Sequence, residues 1–434
     1  MAPMYVSRVP SVYSLQQLEE DSLFPRKGVL SAPEKPVSEL AGSLLPKLSF
    51  AARTGYKSKR VRSFGDLQRV PDIDDYSWPS VSSDEESSEG TVPSLAAQPA
   101  EAGISLLDMV LLAEWEDRAE QDLFRYDVTA CPTKLVPGPY GFVAQFNEGR
   151  GSKKRPTEFR IDQVCQPFDD KKFNFTKALQ KEVLFQFEEG LSSGKQAYAA
   201  SALVPASPNL VFINVSPIEY GHVLLVPRVL DKISQVVDPR TLLLALEFCH
   251  EADNPYFRLC YNSLGAYATV NHLHFQAYYL SAPFAVERAP TAEVMMGLKR
   301  RRGEVRISQL AEYPVRGLVF EAGSSLAEMA DVVGEACQRL QKANIPHNLF
   351  VVDCGQRVFL FPNAFAEAKA NNLVPEDLLD SQVDPAGFEI SGHLILKRQQ
   401  DYDNITQDWV WRLLSYASLS AEGFADFAKL ALDC

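Results

Sequence analysis

The sequence predicts an α+β protein, an antiparallel sheet backed by helices and built twice in one chain. Three observations carry that reading. Residues 209–279 run strand, strand, helix, strand, turn, strand, with connections short enough for antiparallel neighbours. Residues 326–343 carry the pattern of an amphipathic helix. Beyond it, 348–353 with 358–362 echo the apolar hairpin of 209–227, and 391–398 echo 220–228. The expected division is an arm over 1–103, a catalytic half over 104–295 and a degenerate second half over 296–434.

The chain has 434 residues, 46% hydrophobic and 23% charged, the balance of a soluble globular protein longer than one ordinary core. A net charge of -13 speaks against general nucleic-acid binding, which needs a basic surface. Seven cysteines, none spaced as CxxC, fit a reducing compartment and give no disulfide framework. With no apolar run long enough to cross a membrane, a cytoplasmic protein is expected.

Residues 1–103 are rich in Ser, Pro and charge, with acidic runs at 72–75 and 82–89. They hold too little apolar surface to offset the entropy of ordering and are expected to be largely disordered. A basic cluster at 57–62 reads as a solvated patch or a nuclear-import signal, and the arm as a surface for regulatory protein partners. Ser105, with Asp108 three residues on, should cap a helix that ends near Gln121. Gly138-Pro139 marks a turn, and 140–146 alternates as a strand. The loop 147–156 contains glycine and is basic in an acidic chain. It is either solvated or an anion site supplied by Lys153, Lys154 and Arg155. Two apolar strands within 209–227 flank a Pro-bearing turn, a Leu-rich helix covers 239–250, and a strand at 257–261 leads into the turn 262–266.

The last strand of the unit, 270–279, concentrates the chemistry. Side chains alternate between faces, so His272, His274, Gln276 and Tyr278 share one side, and Leu273, Phe275, Ala277 and Tyr279 take the apolar other. Three readings stand open on these residues. The two imidazoles hold a zinc ion with His222 or His250 as a third ligand. They are two histidines satisfied by backbone partners at a domain edge. Or one of them attacks phosphorus, since imidazole is neutral and nucleophilic near pH 7 and passes a phosphoryl group onward readily.

His272-Leu273-His274-Phe275-Gln276, with Asn214-Val215-Ser216-Pro217, the stretch from Gly221 to Pro227 and Tyr261-Asn262-Ser263-Leu264-Gly265-Ala266, resembles the histidine-triad superfamily. The form is the HxHxQ of the galactose-1-phosphate uridylyltransferase-like branch, and within it the GDP-hexose phosphorylases. The resemblance runs from about Ser105 to the C-terminal region. It implies a HIT-like sheet and a guanylyltransferase that passes GMP from GDP-L-galactose to inorganic phosphate, a step of ascorbate synthesis in plants. GDP-D-glucose is the alternative substrate. On this resemblance His274 is the nucleophile, His272 a phosphate donor or an orienter, and Gln276 a contact to a non-bridging oxygen or the leaving group. Thr269 would offer a phosphate-binding hydroxyl and Asn214 a ribose contact, while Asn262 and Gly265 shape the turn beside the phosphates. His222 is either a nucleotide contact or structural. No cofactor is implied, and no metal, because no Cys or His set stands ready for the structural ion of the uridylyltransferases. A protein that keeps this fold to sense nucleotides without turnover is the reading from another class.

Overall fold

Ser105 accepts a hydrogen bond from the Asp108 N–H at 3.0 Å and so starts helix α1 (Leu106–Glu120), which stops at Gln121 as expected. The computed structural model describes residues 47–48, 105–153, 159–187, 207–294 and 301–433. Its strands in the first half are β1 (Lys47–Leu48), β2 (Thr133–Leu135), β3 (Val143–Phe146), β4 (Val183–Phe187), β5 (Asn209–Ile213), β6 (Val223–Val226), β7 (Phe257–Asn262) and β8 (Phe275–Tyr279). They are followed by β9 (Thr291–Glu293), β10 (Arg301–Arg302), β11 (Val305–Leu310), β12 (Leu318–Glu321), β13 (His347–Val352), β14 (Arg357–Pro362) and β15 (His393–Leu396). The helices that position the site are α2 (Glu148–Lys153), α3 (Pro239–Ala252), α4 (Leu326–Lys342), α5 (Gly387–Ser391) and α6 (Ala421–Leu432).

One long sheet runs β1-β4-β5-β6-β8-β7-β13-β14-β12-β11-β10, with β9 beside β11; a small one is β15-β3-β2. Within the long sheet β1 and β4 are parallel, and the pairs from β4 onward are antiparallel. The α+β class and the expected unit of two hairpins around a helix are what the chain forms. The unit β5-β6-α3-β7-β8 recurs as β11-β12-α4-β13-β14 with the same strand order, and the two meet at β7 and β13, where Asn262 faces Asn348.

The echo read from the sequence is placed differently. The apolar hairpin 348–362 forms β13 and β14, the counterpart of β7 and β8 and not of β5 and β6. Segment 391–398 supplies β15, which pairs with β3 in the small sheet. Apolar hairpins look alike in composition, and only their place before or after the helix tells them apart. Strands β2, β4, β9, β10 and β12 carry too little alternation to be read; β4, for one, is buried at every position, whereas β11 alternates from Val305 to Ser308 and was missed. Lys47–Leu48 falls inside the arm expected to be disordered, and the rest of 1–103 lies outside the described residues.

Helices α1, α3, α4 and α6 cover one face of the long sheet, where Leu273, Phe275, Ala277, Val351 and Leu360 are buried. On the opposite face of the second half, Phe350, Phe359 and Phe361 lie beneath Phe388, Leu394 and Leu414. The same face of the first half is left open around β5, β6 and β8. Strand β8 begins at Phe275, not at 270 as the alternation predicted. Upstream of it the backbone bonds to a loop instead of to strands, with the Leu273 N–H donating to the Ile233 carbonyl at 2.8 Å. Among the described residues, no helix is long and apolar enough to cross a membrane.

Candidate active site

The open face forms a cleft with about 1030 Å³ of space between and before its walls, open solvent included. His274 lines it. Its Nδ1 lies 2.8 Å from the His272 carbonyl oxygen, which only accepts, so the proton sits on Nδ1 and Nε2 keeps its lone pair. Burial pushes the His274 pKa down to about 4, with the bond to the His272 carbonyl opposing the shift. The side chain is therefore a neutral imidazole at physiological pH with a nucleophilic nitrogen.

His272 does not reach the cleft. It is fully buried, its Nδ1 accepts the Phe175 N–H at 3.1 Å, and its ring meets Phe168 edge-on at 5.2 Å. Burial first, then the neighbouring His274, lowers its pKa to about 3. Its ring packs against Phe168 and Phe175.

Gln276 lines the cleft opposite Leu224 of β6. His222 lies beneath, fully buried and off the cleft wall. Its Nδ1 accepts the Ile218 N–H at 2.8 Å, its Nε2 is 3.2 Å from Asn214 Nδ2, and its carbonyl accepts from Trp115 Nε1 at 3.3 Å. Burial and then the Arg150 charge hold its pKa well below the ordinary value, while a hydrogen bond with Gln276 pulls the other way. His222 thus closes the 214–222 turn, its carbonyl accepting the Asn214 N–H at 3.0 Å and its ring reaching Gln276. Asn214 lines the cleft, with Oδ1 accepting the Ser216 N–H at 3.0 Å.

Asn262 and Thr269 also line the cleft. Asn262 Oδ1 accepts from Asn348 Nδ2 at 2.6 Å and from the Gly387 N–H at 3.0 Å, so this wall is braced by the second half. Gly265 stays off the cleft: a Cβ there would stand 2.8 Å from Pro346 Cγ and 3.1 Å from the Ile161 carbonyl. It is a close-approach glycine of the turn. Lys153 ends α2, and Lys154 and Arg155 lie outside the described residues.

The cation that α2 does bring to the cleft is Arg150, missed although it belongs to the basic loop already singled out. Its N–H bonds to Asn147 Oδ1 at 3.0 Å and its Nη1 to the Ser216 carbonyl at 3.0 Å. Two further walls were not legible. Phe173, Phe175, Phe212 and Val270 make an apolar side, while Tyr267, Asp384, Phe388 and Glu389 make a polar one, mostly from the second half. Among the described residues, no three His, Cys, Asp or Glu side chains converge as metal ligands.

The N-terminal domain model of the GDPGP1-like family matches residues 106–278 and its C-terminal domain model residues 285–434. The chain is 54% identical to GDP-L-galactose phosphorylase 1 of Arabidopsis thaliana over 334 residues, 77% of this chain and 75% of that protein. It is 33% identical to GDP-D-glucose phosphorylase 1 of Homo sapiens over 319 residues, 70% of this chain and 77% of that protein. Among solved structures, a yeast Ap4A phosphorylase aligns over 73% of this chain and 96% of its own, at 13% identity and a TM-score of 0.48.

Proposed function

The chain belongs to the GDPGP1-like family, and on that premise we propose that it is a guanylyltransferase that phosphorolyses GDP-L-galactose through His274. Identity of 54% to a GDP-L-galactose phosphorylase, against 33% to a GDP-D-glucose phosphorylase, carries the choice of sugar. The lone pair on His274 Nε2 carries the choice of mechanism.

In the first step Nε2 attacks the α-phosphorus, the bond from that phosphorus to the bridging oxygen breaks, and L-galactose 1-phosphate leaves. Inorganic phosphate then attacks the same phosphorus, the P–N bond breaks, and GDP departs. Each leaving group is weakly basic, a phosphate whose second pKa is about 6 or a neutral imidazole once its Nδ1 proton is in place. No strong general acid is needed, which is why a neutral Gln276 suffices beside the nucleophile. Arg150 supplies positive charge for the non-bridging oxygens, and Thr269 a hydroxyl. Asn214 meets the ribose side, and the phenylalanine wall takes the base by stacking and apolar contact. The polar wall of Tyr267, Asp384 and Glu389 is left for the hexose hydroxyls.

Incubating the protein with guanine-labelled GDP-L-galactose without phosphate should leave label on His274, and adding phosphate should release it as GDP. The His274→Asn variant should neither label nor turn over. Full turnover in that variant would sink the mechanism. We further place the reaction in the cytoplasm, with the nucleus as a second site, and read residues 1–103 as a surface for regulatory proteins.

A further inference from the structure

One buried side chain serves the nucleophile from outside the cleft. Gln235 lies in the loop before α3 and is 1% exposed. Its Oε1 accepts the His274 N–H at 3.0 Å, and its Nε2 donates to the carbonyls of His274 at 3.2 Å and Asn262 at 2.9 Å. Strands β7 and β8 pair from Phe257 with Tyr279 to Cys260 with Gln276, and Asn262 with His274 is the pair that would continue that register. In an unbroken ladder their main-chain groups would bond to each other. The Gln235 carboxamide takes those bonds itself and stands between the two chains where the cleft opens.

Gln235 is held in turn. Its N–H donates to Asn271 Oδ1 at 2.9 Å, and its carbonyl accepts from the Tyr261 hydroxyl at 2.8 Å. Asn271 is tied through Nδ2 to the carbonyls of Gln166, at 3.1 Å, and Pro167, at 2.9 Å. We propose that Gln235 is a positioning residue for the nucleophile. The bond to the His272 carbonyl sets how the His274 ring is turned; Gln235 sets the main chain from which the ring swings. A carboxamide is the only side chain that offers one acceptor and two donors in a plane at this reach. This rests on the reading of His274 as the nucleophile.

The test uses the full chain and follows single-turnover formation of the guanylyl adduct from GDP-L-galactose, with GDP affinity measured alongside. Gln235→Met keeps the volume and removes all three bonds. Adduct formation should fall about 100-fold, the effect of misplacing a reacting atom by roughly 1 Å, while GDP affinity stays within about threefold. A folded variant that forms adduct at the parental rate overturns the proposal, as does a loss of GDP affinity in step with the rate. If Gln235→Met does not fold, Gln235→Glu is read by the same criteria. Its slow rate should also recover toward acid pH, where the buried carboxyl regains a proton and with it a donor; a pH profile like the parent's overturns the proposal. His274→Asn is run in parallel, and adduct formation by that variant would instead refute the nucleophile.

Discussion

At the scale of single residues the fold keeps its buried imidazoles neutral. His272, His274, His347 and His393 are all buried, with pKa values lowered by that burial to about 3 or 4. Unfolded, each would titrate near pH 6.5. Between about pH 6.5 and 4 the unfolded chain therefore binds more protons than the folded one, and stability falls as pH falls through that window. At pH 5.5 this amounts to about 1.4 kcal/mol per histidine, on the order of 5 to 6 kcal/mol for the four. The urea midpoint should drop clearly between pH 7.5 and 5.5, and a flat midpoint would contradict the burial argument. Arg150 tests the electrostatic side. Replacing it with Met should cut kcat/KM about 100-fold, the scale of losing one charge-stabilising donor, with little change in melting temperature. Steady-state kinetics beside a melting curve separates the two effects. His274 was legible because its motif is local, two histidines and a glutamine on alternate positions. Gln235 was not, since a lone glutamine 39 residues upstream of His274 acquires meaning only when the loop folds back on the strand.

At the scale of elements, what could be read was what local chemistry decides. The Ser105 cap and the start of α3 near Pro239 were legible, because helix starts are settled within a few residues. The overlong strand 270–279 shows the limit: its alternation is genuine, but Gln235 and Ile233 remove the ladder bonds before Phe275. The polar wall was illegible for a similar reason. Helix α5 carries no motif, and it reaches the cleft only because its first residue seats against β7. A Cβ on Gly387 would stand 2.2 Å from Cys260 Sγ and 3.0 Å from Asn262 Oδ1. Gly387→Ala should therefore cost about 1–3 kcal/mol of stability and lower kcat/KM by disturbing Asn262. Adding Cys260→Ala removes the blocking sulfur and should return part of both losses, a coupling that a double-mutant cycle measures. Strictly additive effects would show that the clash is relieved elsewhere.

At the scale of the whole molecule, two like units share one sheet but not one task. Where β8 presents Gln276 to the cleft, the same face of β14 presents Phe359 and Phe361, stacked with ring centroids 6.2 Å apart and buried. The second unit has filled its face with aromatic rings and lends the first Asp384, Phe388 and Glu389 as a wall. None of the residues assigned a role in the reaction comes from 1–103. A chain beginning at residue 104 should thus turn over GDP-L-galactose as fast as the full chain, and a large fall in kcat would show that the arm takes part in catalysis. The junction of β7 with β13 also governs how the chain is made. Asn348 follows Asn262 by 86 residues, on the order of ten seconds of ribosomal synthesis. Through that interval the nascent first unit displays an unsatisfied strand edge, open to a neighbouring polysome product in the same state. The hazard of aggregation is thereby concentrated at birth, and it ends when the second unit emerges and docks.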